Sequence, residues 1–109
     1  MRMKVVSRAV DQAILIGQDI VVAPTDIDAK TVRVIARGRM FGGPNDGGTF
    51  QAAHEMSKGQ MFRVGEFIAV TLIEIVGNKA RLGVNAPPHI DVIRKEKAQQ
   101  QNLRGNDAS

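Results

Sequence analysis

The sequence predicts an all-β fold, and three observations carry that expectation. Apolar residues recur at every second position in short runs, turn-forming residues separate those runs, and the pattern of the first part of the chain returns in the second. In chain order, Val5 and Val6, Ile14 and Ile16, Ile20 and Val22, and Val32 and Val34 mark four short strands. Arg39 to Gly48 holds four glycines and Pro44, so it reads as a connector. It lacks the Gly-Lys-Ser/Thr of a phosphate-cradling loop. Residues 49–59 leave two states open. Ala52, Ala53, Glu55 and Met56 are helix formers, while their place in the pattern is that of a first strand. Ile68, Val70, Leu72 and Ile75 then alternate, Gly77-Asn78 turns the chain, and Ala80, Leu82 and Val84 resume. Pro87-Pro88 ends that strand because proline has no N–H for a ladder, and Ile90 and Val92 start a last run. Residues 97–109 are polar apart from Ala98, Leu103 and Ala108, and read as a short frayed helix followed by disorder.

Displacing the first part by 48 positions, the separation of Gly17 and Gly65, lays Ile20 on Ile68, Val22 on Val70, Ile27 on Ile75 and Arg33 on Arg81. The chain reads as an internal duplication: a half-unit over 1–38, the connector 39–48, a second half-unit over 49–96 and the tail 97–109. Neither half could sustain a core alone, so the expected product is one shared core. Asp28-Ala29-Lys30 stands where the second copy has Val76-Gly77-Asn78, which predicts a looser first hairpin.

Composition narrows the function. With 109 residues, no cysteine and a formal charge of +4, a thiolate site or disulfide framework is excluded and an anionic partner is favoured. Four Phe with no Tyr or Trp argue against a module that reads bases by aromatic stacking. His54-Glu55 lacks the second histidine of a zinc-protease helix, and Asp26 and Asp28 sit in a turn. We expect no catalytic residue, no metal and no cofactor. No stretch approaches the ~18 apolar residues of a membrane span, so a cytoplasmic protein without a membrane partner is expected.

Val64-Gly65-Glu66-x-Ile68, then Gly77-Asn78-x-x-Arg81-Leu82-Gly83-Val84-x-Ala86-Pro87, then Val92-x-Arg94-x-Glu96 resemble the CsrA/RsmA family of bacterial RNA-binding translational regulators. The first copy is similar in Lys4 to Arg8 and Ile16 to Ile20, but after Arg37-Gly38 the family's Ala-Pro and final strand are missing. The resemblance implies a small interlocked β-sandwich or barrel with strands exchanged between halves. A single chain would mimic the family's dimer, or two chains with one defective copy would dimerise. It also implies an RNA site where a first strand lies beside a fifth: Val6, Ser7 and Arg8, with Ala86, Pro87, Pro88, Ile90, Val92 and Arg94. Arg33 and Arg81 read as structural or rim charges. The implied ligand is messenger RNA carrying a G-G-A core in a hairpin loop of its leader, with a small regulatory RNA or a protein antagonist as further partners. The alternative is an interaction module that pairs with such a regulator without binding RNA itself.

Overall fold

A computed structural model describes residues 2–39 and 47–95. The connector expected over 39–48 lies largely outside these residues, as do Glu96 and the tail. Among the described residues nine strands follow in order: β1 (Arg2–Ala9), β2 (Ile14–Ile16), β3 (Ile20–Ile27), β4 (Thr31–Arg39), β5 (Thr49–Ser57), β6 (Met61–Val64), β7 (Ile68–Val76), β8 (Lys79–Ala86) and β9 (Val92–Arg94). Segment 49–57, open between helix and strand in the sequence, is β5. Its side chains alternate about the sheet, with Met56 buried, and β4 supplies the ladder from Arg39↔Thr49 to Thr31↔Ser57. Pairing along a waiting edge outweighs helix propensities of a few tenths of a kcal/mol per residue.

The strands form two antiparallel sheets, β1-β8-β7-β6 and β5-β4-β3-β2-β9. Each is built on a local meander, β2-β3-β4 or β6-β7-β8, whose members are joined by short turns. Around these meanders the ends of the chain are exchanged. β1 crosses to pair with β8 from Arg2↔Ala86 to Ala9↔Lys79, and β9 crosses back to pair with β2 from Ile16↔Val92 to Ile14↔Arg94. This is the expected interlocked all-β architecture.

The two meanders carry the same local features at positions 48 apart. Gly17 (φ 64) and Gly65 (φ 68) make the turns into β3 and β7, where a left-handed backbone favours glycine. The register slips between Pro24 and Asp26 in one sheet and between Leu72 and Glu74 in the other. Past each slip an acid faces an arginine, Asp26↔Arg33 and Glu74↔Arg81. Only the second pair is an ion pair, with Arg81 Nη1 donating to Glu74 Oε2 at 2.5 Å. The hairpin turns differ as expected: Gly77 takes φ 60 in the tight one, and Asp28 N–H reaches Thr31 O at 2.8 Å in the looser one.

Period-two alternation sends Ile14, Ile16, Ile20, Val22, Val32 and Val34 inward from one sheet and Ile68, Val70, Leu72, Leu82 and Val84 inward from the other. All are at most 1% exposed. Complete burial of side chains this size stabilises by about 1.5–3 kcal/mol each, so the exchanged strands are held by a core that both meanders share.

Candidate nucleic-acid interface

The exchange brings β1, at the edge of one sheet, against β9, at the edge of the other. Two sets of bonds close this corner. Lys4 Nζ donates to the Val92 carbonyl at 2.5 Å. Further along, the Ala13 carbonyl accepts from Arg8 Nη1 at 3.1 Å and from the Lys95 N–H at 2.9 Å. Ala13 stands at the β1–β2 turn, where Gln12 N–H bonds to Ala9 O and the Gln12 side-chain oxygen accepts from Ala9 N–H. Asp11 there takes φ 67 and donates its N–H to Pro24 O at 2.9 Å. Aspartate tolerates that conformation better than most side chains do.

Between the strands lies a cleft of about 180 Å3 lined by Lys4, Val84, Ala86, Pro87, Pro88, Ile90, Asp91 and Val92. Its rim is a turn, with Ile90 N–H bonded to Pro87 O at 3.0 Å, and Gly17 N–H fixes Asp91 O at 2.7 Å. The structure therefore gathers five of the nine residues expected from the resemblance, Ala86, Pro87, Pro88, Ile90 and Val92, around one cleft. Arg94 is exposed at the end of β9 and, by alternation, shares the face of Val92.

The β1 residues are placed differently from a set of open contacts. Val6 is in the core at 3% exposure, and Ser7 is half-buried and faces away from it. Arg8 is only 5% exposed, with Nε on Ser7 O at 2.9 Å as well as Nη1 on Ala13 O. A buried guanidinium needs such acceptors, and here they join β1 to the chain beside β9. Lys4, two alternations earlier on the same face, lines the cleft instead. The sequence reading did not single it out as a contact, although it opens the Lys4 to Arg8 stretch on which the resemblance rests. Lys4, Arg8 and Arg94 make the corner cationic, with Asp91 the acid in the cleft, whereas Lys95 lines a separate hollow with Val21, Ala23 and Arg37 on the outer face of the five-stranded sheet.

The opposite corner is built from β5 and β6 and has other chemistry. At an offset of 48, Ala52, His54 and Met56 stand for Lys4, Val6 and Arg8. Met56 is buried at 2% exposure. His54 stacks on Phe62, with centroids 4.2 Å apart and planes 9° apart. Among the described residues no strand occupies the place that β9 takes at the first corner. Asp46, the residue that corresponds to Arg94, lies outside them.

Fold and corner together define a small strand-exchanged β protein with a cationic cleft at the junction of its terminal strands. Residues 56–102 match the model of the CsrA family, described as a global regulator protein family. The translational regulator CsrA of Thermotoga maritima is 30% identical over 54 residues, which cover 47% of this chain and 65% of that protein. The translational regulator CsrA of Syntrophomonas wolfei is 36% identical over 39 residues, covering 36% of this chain and 51% of that protein. The chain thus spans less than two thirds of the length of these curated relatives. No solved structure matches it. Among the described residues no helix is long and apolar enough to cross a membrane.

Proposed function

We propose that this protein is an RNA-binding translational regulator, acting in the cytoplasm, whose ligand lies along the β1–β9 corner. The observation that carries the reading is the junction itself. Two strands from opposite ends of the chain are fastened side by side through Lys4 and Val92 and through the Ala13 carbonyl. They enclose a cleft with cations at its margin. An exposed arginine fork can hydrogen-bond a guanine edge or a phosphate, and free backbone groups of edge strands can read the edges of unstacked bases. Arg94 supplies the fork, Lys4 supplies charge, and Ala86 to Pro88 supply the backbone and apolar wall. Arg8 acts as a positioning residue, because its guanidinium is bonded to Ala13 and Ser7.

The finer expectation is a G-G-A core displayed in a hairpin loop of a messenger leader, in keeping with the names of the relatives. The half-units 1–38 and 49–96 belong to the same proposal. The recurrence of the glycine turns, register slips and acid–arginine pairs supports duplication, and the exchange of β1 and β9 supports one chain folding as a self-contained pair. A gel shift of the full chain with a G-G-A hairpin, against the same hairpin with a mutated core, tests the function. Retardation of the first and not the second is expected. Equal retardation of both, or of neither, would refute sequence-selective binding.

A further inference from the structure

Among the described residues one sheet has five strands and the other four, and the difference lies at a single edge. β2 and β6 are equivalent: Ile14 and Ile16 correspond to Phe62 and Val64, and each strand runs through a positive-φ glycine into the next. The outer edge of β2 carries β9, with Leu15 opposite Ile93. There Gly17 N–H donates to Asp91 O at 2.7 Å and Ala13 O accepts from Lys95 N–H at 2.9 Å. Among the described residues nothing pairs with the outer edge of β6, where the matching groups are Gly65 N–H and Met61 C=O. Burial records the same difference. Ile14 and Ile16 are 0% and 1% exposed, while Phe62 and Val64 are 7% and 5% exposed.

Among the described residues the connectivity differs as well. The chain leaving β8 crosses to the other sheet to become β9. The chain leaving β4 comes back as β5 in the same sheet, with Thr49 opposite Arg39. The His54–Phe62 stack closes the inner side of this corner but makes no ladder with β6.

We propose that the outer edge of β6 accepts an extended segment of a partner protein as an added antiparallel strand. An unpaired edge is a ready template for such an addition. β9 shows what the edge takes: a strand offering a carbonyl to Gly65 and an N–H to Met61, with an apolar side chain opposite Val64 as Val92 lies opposite Ile16. The residue between must differ from that of β9. Leu15, which faces Ile93, is replaced on β6 by the exposed Arg63. Opposite charges directly across a ladder attract and like charges repel, so the partner strand has an apolar–acid–apolar pattern. A second copy of this chain does not supply it, since its β9 is already held by its own β2. The inference is independent of RNA binding, because it uses the other corner of the molecule.

The test uses synthetic peptides with the sequence of residues 87–95 carrying Ile93→Glu or Ile93→Lys, titrated into the full-length protein. The Ile93→Glu peptide is expected to bind about fivefold more tightly than the Ile93→Lys peptide, with the Gly65 amide shifting on addition. In an Arg63→Glu variant, changed only at an exposed position, the order should invert. Failure of both peptides to bind the wild type overturns the proposal. So does an unchanged order in Arg63→Glu, since that is the result if the peptides displace β9 at β2 or bind elsewhere.

Discussion

Replacing Arg8 by alanine separates a positioning role from a contact role, because this arginine is buried and Arg94 is not. The substitution removes the local Nε bond to the adjacent Ser7 carbonyl and the Nη1 bond to the Ala13 carbonyl; the latter, a long-range hydrogen bond from a charged donor, is worth about 1.5–3 kcal/mol. Ala13 O keeps the Lys95 N–H and is not left unsatisfied, which sets the loss near the lower end of that range. The buried stem adds about 1 kcal/mol. The total of about 2–3 kcal/mol corresponds to a fall in Tm of roughly 10–20 °C for a domain of this size. Arg94→Ala, at an exposed strand end, should change stability by less than about 0.5 kcal/mol. It should weaken hairpin binding by about 1–3 kcal/mol through loss of a fork from a base or phosphate. Thermal melts followed by circular dichroism and hairpin binding well below the lower Tm give both numbers, with Arg33→Ala, exposed on β4, as the neutral control. An Arg8→Ala protein that melts like the wild type and loses RNA as Arg94→Ala does would refute the argument. Its guanidinium would then have to leave Ala13 to meet the ligand.

Other outcomes follow from the same geometry. Because few cations margin the cleft, the slope of log K against log salt should be shallow, about −2 to −3 at roughly −0.7 per phosphate contact; a much steeper slope that ignores the G-G-A core would indicate diffuse attraction. Native mass spectrometry should give one hairpin per chain, since Met56 replaces Arg8 at the second corner and is buried there, and Met56→Arg alone should not restore a second site. Two hairpins per chain at saturation would contradict that assignment. Gly38→Ala should destabilise by at least about 1–3 kcal/mol, since Gly38 has φ 148 and an added Cβ would collide with the Asp19 carbonyl and lie 2.8 Å from Ile20 Cα; a urea midpoint equal to wild type would show that the β3–β4 edge yields more readily than this packing allows.

Much of this architecture follows from local sequence. The runs around Ile20 to Val34 and Ile68 to Val84 alternate strictly enough to set which side chains face the core, and the glycines at 17, 65 and 77 mark turns because few other residues accept a positive φ. The first copy's departure from the pattern after Gly38 is equally visible, in the glycines and proline that follow it. Three things needed the tertiary structure. Segment 49–57 became a strand because the edge of β4 offered a ladder, whereas its intrinsic preferences pointed to a helix. The role of Arg8 depends on the Ala13 carbonyl, presented by a turn whose direction no strand pattern encodes, and Lys4 joined the cleft because β9 arrives beside it. The resemblance implied the exchange, but alternation could not specify it: a period of two says which face is buried and not which edge is paired. The long-range pairings β1 with β8 and β9 with β2 are chosen by the shared core, since only with both terminal strands crossed do the two meanders enclose the same apolar residues.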